Sequence, residues 1–114
     1  MYYVYIIRCT GGLLYTGITN DVERRMSEHF GQTEKCAKYT RSHQAEALEA
    51  LWSAPDRSHA SRLEYRIKQL PKAKKLRLIE DDSCLAEFFG TAAADTFSRL
   101  SLPGSFHTVP RAKV

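Results

Sequence analysis

Early in the chain the spacing of apolar and polar positions changes period once, and that change separates a hairpin from a helix. Tyr2 to Cys9 is rich in β-branched and aromatic residues, Thr10-Gly11-Gly12 is a turn signal, and Leu13 to Ile18 resumes the first character. Two strands are therefore predicted, over 2–9 and 13–18. From Val22 the positions i, i+3, i+4, i+7 and i+8 are Val22, Arg25, Met26, His29 and Phe30, which predicts a helix over 21–30 with Asp21 or Asn20 as its N-cap. A polar loop over 31–43 carries Lys38 and Arg41. The stretch from Ala45 to Ser53 is ambiguous on pattern alone, because its alanines and glutamates suit a helix. After the turn at Pro55-Asp56, a helix is predicted over 58–70 with Ser58 as N-cap. Its inward stripe reads Ala60, Leu63, Glu64 and Ile67. Pro71 ends that helix and opens another over 72–80.

Loop length decides which hairpin side chains share a face. A two-residue turn at Gly11-Gly12 would oppose Arg8 to Tyr15 and set Tyr5 and Tyr15 on opposite sides of the sheet. A three-residue loop, Thr10-Gly11-Gly12, with Gly12 in the left-handed region, opposes Cys9 to Leu13, Ile7 to Tyr15 and Tyr5 to Gly17, so both tyrosines face one way. The glycine that this bulge requires is present.

Three polar residues occupy positions where a core is expected. Arg25 and His29 lie on the inward stripe of the first helix, while its outward positions, Glu23, Arg24, Ser27 and Glu28, carry ordinary solvated polarity. Glu64 lies on the stripe of the second. An unpaired buried carboxylate costs several kcal/mol, so Glu64 requires a cation, either of the protein or a metal. Taken singly, each has a plain structural account: for Glu64 an ion pair with Arg25 or a seam-edge position that reaches solvent, and for each tyrosine a packed sheet aromatic.

Taken together, Tyr3-Val4-Tyr5, Tyr15-Thr16-Gly17, Arg25 with His29 four residues on, and a later helical Glu64 resemble the GIY-YIG endonuclease superfamily. The resemblance covers about residues 1 to 80 and is nearest to the small stand-alone members, which share the Tyr2 to Tyr5, Thr16 to Asn20 and Ala37 to Arg41 segments. The first tripeptide has Tyr3 for Gly and Val4 for Ile but keeps Tyr5, and Ile18 stands where some relatives carry lysine. The resemblance implies an α+β fold in which a three-stranded, mainly antiparallel sheet is flanked by helices, with the third strand near 45–53. It implies a metal-dependent DNA endonuclease, with repair or recombination as its setting. Glu64 would hold one divalent cation, Mg²⁺ or Mn²⁺, and Arg25 would clamp the scissile phosphate. Tyr5 would activate water, Tyr15 would orient water or phosphate, and His29 would assist proton transfer or exchange roles with Tyr5.

Composition fits a small nucleic-acid enzyme. The chain has 114 residues and a formal charge of +4, enough for one modest core. Residues 1–80 hold 14 Lys and Arg against 9 Asp and Glu, and Tyr65 to Ile79 contains six cations and no acid. Lys38, Arg41, Lys68, Lys72, Lys74 and Lys75 are accordingly the candidate contacts to DNA, with RNA left open as a substrate. A solvated helix face would explain the run equally well. Cys9, Cys36 and Cys84 have no metal-ligand spacing and suggest a reducing, cytoplasmic setting. No stretch approaches a membrane span, and a monomer is the simpler expectation. Asp81-Asp82 mark a change of character. Beyond them an extension over 81–114, partly helical or disordered, holds Phe88, Phe89 and Phe97, with disorder expected from Ser101. Two other classes of function stay open: a catalytically idle nucleic-acid-binding module, and an adaptor acting through the tail.

Overall fold

Gly11 and Gly12 both take positive φ angles, 81° and 76°, and their freedom from a Cβ lets the three-residue loop Thr10–Gly12 join β1 (Tyr2–Cys9) to β2 (Leu13–Thr19). The pairing is Cys9 to Leu13, Ile7 to Tyr15 and Tyr5 to Gly17, the register in which both tyrosines share a face. The computed structural model describes residues 1–31 and 43–103. Lys38, Arg41 and Cys36 fall outside these residues, as does the tail from Gly104.

After the hairpin come α1 (Val22–Gly31), β3 (Ala45–Ala54), α2 (Arg57–Gln69), α3 (Lys72–Glu80), α4 (Cys84–Phe89), α5 (Thr91–Thr96) and β4 (Ser98–Arg99). The fold is α+β, and the antiparallel sheet has the order β2-β1-β3-β4. It carries one strand more than the three expected. The addition is a two-residue edge strand from beyond Asp82, paired to Trp52 and Ser53.

β3 is the strand whose sequence pattern is least informative, and its geometry explains this. It is central, buried on both faces along most of its length, so no alternation of apolar and polar residues is required. Its register against β1 also shifts twice, between Ile6 and Ile7 and between Arg8 and Cys9. Glu49 and Glu46 are the residues skipped, and both turn onto Arg8. Nε of Arg8 donates to Glu49 at 2.9 Å, and Nη1 donates to Glu46. The bulges thus aim two acids at one cation inside a strand that would otherwise read as helical.

Each sheet face has its own apolar cluster. Val4, Ile6, Ala50 and Trp52 pack with Ala60, Leu63 and Ile67 of α2, Leu78 of α3, and Cys84, Leu85 and Phe97 from the later segments. Tyr5, Ile7, Cys9, Leu48 and Leu51 pack with Met26 of α1 on the other face. Asp56, not Ser58, caps α2, accepting from the backbone N–H of His59 at 2.8 Å. The helix starts one residue earlier than predicted, which puts Ser58 inside its first turn. At the far edge Arg99 donates to the carbonyls of Leu78 (3.2 Å) and Ile79 (2.7 Å), satisfying the C-terminal end of α3. Its guanidinium also lies 5.1 Å from the Trp52 ring centroid, and Trp52 Nε1 donates to Asp82 at 2.8 Å. Phe88 and Phe89 end α4 and Phe97 follows α5, the two short helices being separated by Gly90 at a φ of 94°.

Candidate active site

Tyr5 leaves β1 on the α1 face, and its ring lies across Gly17 of the neighbouring strand. A Cβ on Gly17 would stand 2.5 Å from the Tyr5 hydroxyl, 2.6 Å from its Cζ and 3.1 Å from Tyr15 Cε2. Glycine at this position is therefore what allows the phenol to be there. The Tyr5 oxygen is 2.8 Å from His29 Nε2. The rings of Tyr5, Tyr15 and His29 form a triangle with centroid separations of 6.3, 5.6 and 5.5 Å. We expect Gly17→Ala to displace the Tyr5 ring, cost about 1–3 kcal/mol in urea unfolding as other overpacked sites do, and lower any cleavage rate on the order of 10²-fold. An alanine variant with wild-type stability and rate would show that the cradle is not needed.

α1 supplies the next two groups. Asp21 caps it, accepting from the backbone N–H of Arg24 at 3.1 Å, and this sets the rotation that turns His29 and Met26 fully inward. Arg25 is half-buried, stands beside the Tyr5 hydroxyl, and donates through Nη1 to Glu28 at 2.8 Å. Arg24, adjacent in sequence, is turned to the surface and donates to Asn20 at 3.0 Å. Glu28, placed by pattern among the solvated positions, is 12% exposed and lies between the two arginines. Its i,i+3 spacing from Arg25 is the signal that could have found it.

Burial governs the protonation of this group. Desolvation, followed by the neighbouring Tyr15, pushes the Tyr5 phenol above its usual range, and Arg25 only partly offsets this. The positive field expected to make Tyr5 acidic is present but outweighed. Burial and then Arg25 push the His29 imidazole down to about 4, so the buried pair is a neutral phenol and a neutral imidazole at neutral pH. For Arg25, burial opposes the charge, but Glu28 and Tyr5 more than offset it and hold the guanidinium protonated.

His29 has a consequence for stability. Its pKa is near 6.5 in an unfolded chain and about 4 in the fold, so between these values the unfolded state binds the proton more readily. Its contribution is complete above pH 6.5 and is lost as pH falls toward 4, by roughly 3 kcal/mol at full extent. Urea unfolding at pH 7.5 and at pH 4.5 should show a destabilisation on acidification that is smaller in His29→Gln. An identical acid response in the variant would remove His29 as its source.

Glu64 approaches from α2, which packs on β1 and β2. It is half-buried beside the apolar seam formed by Ala60, Leu63 and Ile67, not within it. Its ion pair is with Lys68 of the next turn, at 3.4 Å, not with Arg25. It lies near enough to Tyr5 to raise the phenol's pKa further. Lys68 Nζ in turn is 5.9 Å from the Tyr15 ring centroid, linking α2 to the hairpin. Among the described residues no three His, Cys, Asp or Glu gather to enclose a metal ion. Glu64 thus offers a single, partly exposed hard oxygen donor, which would suit one Mg²⁺ or Mn²⁺ whose other ligands were water and substrate oxygens. Tyr5, Tyr15 and His29 thus form one group with Arg25 beside it, and Glu64 borders that group from α2 through Lys68.

The predicted basic run does not form one patch. Lys68 and Lys72 turn toward the hairpin, where Lys72 Nζ reaches Gly12. Lys74 and Arg77 instead lie over the Phe88 ring, at 5.5 and 5.4 Å. Lys75 is partly buried. Among the described residues no helix is long and apolar enough to cross a membrane.

Comparison with known proteins adds an independent line. Residues 1–77 match the family model described as the GIY-YIG catalytic domain. The chain is 51% identical over 80 residues to a UPF0213 protein of Pectobacterium carotovorum, covering 70% of this chain and 79% of that one. It is 39% identical over 92 residues to a UPF0213 protein of Nitratidesulfovibrio vulgaris, covering 81% and 76% of the two chains. The solution NMR structure of a UPF0213 protein from Bacillus halodurans is similar at 36% identity and a TM-score of 0.44, over 82% of this chain and 94% of the other.

Proposed function

The chain belongs to the GIY-YIG catalytic domain family, a nuclease family, and on that premise we propose that it is a divalent-metal-dependent endonuclease hydrolysing phosphodiester bonds in DNA. One observation carries the reading: a buried tyrosine, held over a glycine, shares its hydroxyl with a buried, neutral histidine beside a half-buried arginine. A packed core gains nothing from placing these three polar groups together. A phosphodiester hydrolase needs them, because it must remove a proton from water and neutralise charge on the phosphoryl oxygens.

The proton path follows from the protonation states. Tyr5 takes a proton from the attacking water while its own phenolic proton passes to His29 Nε2, so the phenol is neutral before and after and the imidazole becomes imidazolium. This relay explains how a tyrosine with a raised pKa can serve: phenolate never accumulates. The hydroxide forms a bond to phosphorus, the bond to the leaving oxygen breaks, and that oxygen is protonated from solvent. Arg25, oriented by Glu28, presents its planar fork to the non-bridging oxygens. Tyr15, on the same face, orients the water or a phosphate oxygen. A divalent cation held by Glu64 would supply Lewis-acid stabilisation of the phosphate and of the hydroxide. Lys68 and Lys72, with Lys38, Arg41, Lys74 and Lys75, would contact the backbone away from the scissile bond.

The test is a panel of end-labelled duplex, nicked, branched and single-stranded DNA, with RNA alongside, incubated with Mg²⁺, Mn²⁺ or EDTA. Endonucleolytic products with either cation and none with EDTA are expected on at least one DNA. Preference for branched or nicked forms would support a role in repair or recombination. Binding without cleavage across the panel would replace the enzyme by an idle binding module.

A further inference from the structure

The outward face of α2 carries a feature that the proposed chemistry does not use. Arg57, Arg62, Tyr65 and Arg66 line a shallow, open surface groove of about 750 Å³ formed by side chains of this helix alone. Tyr65 is 66% exposed in it, leaving its ring face accessible. Arg62 Nη2 donates to Ser58 at 3.3 Å, which fixes one guanidinium along the groove wall. Arg57 is also a wall of the neighbouring concavity that contains Arg25, together with Asn20 and Glu28. One arginine therefore belongs to both depressions. The helix period sets Arg57 and Ser61 on the face of Glu64 and Lys68, with Tyr65, Arg62 and Arg66 following in turn around the outward side. A phosphate held at Arg25 has a guanidinium next to it at Arg57 and two more, at Arg62 and Arg66, beyond.

We infer that this groove is the track for the substrate strand on one side of the scissile phosphate, with Arg57, Arg62 and Arg66 on successive phosphates and the Tyr65 ring under one unstacked base. The inference rests on the nuclease reading and extends it to residues outside the catalytic group. Charge complementarity identifies the occupant: three neighbouring cations suit a polyanion with regularly spaced charges, and an exposed ring between them suits a nucleobase. An acidic peptide would use the arginines but has no flat group for Tyr65.

The experiment measures binding of a fluorescein-labelled DNA that the wild type cleaves, by anisotropy in EDTA across a salt series. Tyr65→Ala removes no charge, and should weaken binding roughly ten-fold with an unchanged salt slope, as removal of a stacking platform does. Arg62→Ala with Arg66→Ala should lower the slope by about one to two units, close to one for each phosphate no longer neutralised. All three positions are exposed, so neither change opens the core. A wild-type Kd in either variant overturns the track, as it would if the groove held an acidic peptide instead. Wild-type protein that neither bound nor cut any nucleic acid would remove the nuclease reading as well, whereas wild-type cleavage with unaltered binding by the variants would remove the track alone.

Discussion

Glu64→Gln should reduce metal-dependent cleavage to background, a drop on the order of 10²–10³-fold or more, while the protein folds and binds DNA nearly as the wild type does. The substitution keeps the shape of the side chain and removes its charge, so what disappears is the hard anionic donor. Packing should hardly respond. Glu64 lies beside the apolar seam and not in it, and the pair it forms with Lys68 at 3.4 Å is partly exposed, the kind of interaction that contributes about 0–1 kcal/mol. Stability in urea, DNA affinity in EDTA and single-turnover rate in Mg²⁺ should therefore separate, with only the last collapsing. Mg²⁺-dependent cleavage at the wild-type rate in the variant would take Glu64 out of the site, and the single-cation proposal with it.

The second large effect distinguishes two chemically identical neighbours. Arg25→Lys should lower the single-turnover rate at saturating protein by about 10²-fold, comparable to removing one preorganised donor to a developing charge. Arg24→Ala should change it only a few-fold. Lysine keeps the positive charge but cannot donate to Glu28 and a phosphate from one plane. Arg24 is half-exposed and is engaged with Asn20, Asp21 and Glu28 at the surface. If the ordering came out reversed, the roles given to Arg25 and His29 would both fall, since they share one rotation of α1.

The parts of this molecule that are legible in its sequence are those fixed by local geometry. Two glycines determine the hairpin loop, the loop determines the register, and the register brings Tyr5 and Tyr15 to one face. The 3.6-residue period likewise identifies His29 and Arg25 as inward. Legibility fails where a distant partner decides the outcome. β3 is ambiguous because two bulges and burial on both faces erase its period. Glu28 is misplaced by pattern because an ion pair draws it under Arg25, against the simple inward and outward division. Asp56 displaces Ser58 as cap because α2 begins one residue sooner, and β4 cannot be anticipated from two residues whose strand character comes wholly from Trp52 and Ser53. Within the site, the raised pKa of Tyr5 is the least accessible property, since it depends on burial that no linear spacing reveals.

Arg99 gives the fold a schedule. The hairpin, α1 and α2 precede β4 in the chain, but the carbonyls of Leu78 and Ile79 must wait for a residue synthesised about twenty positions later, and the outer margin of Trp52 and Ser53 waits longer still. Until then the nascent chain presents an unfinished sheet margin of the kind that recruits strands from other molecules. The two-residue strand β4 covers that margin, and a chain shortened at residue 77, where the family match ends, is expected to self-associate more than the full chain even with every candidate site residue intact.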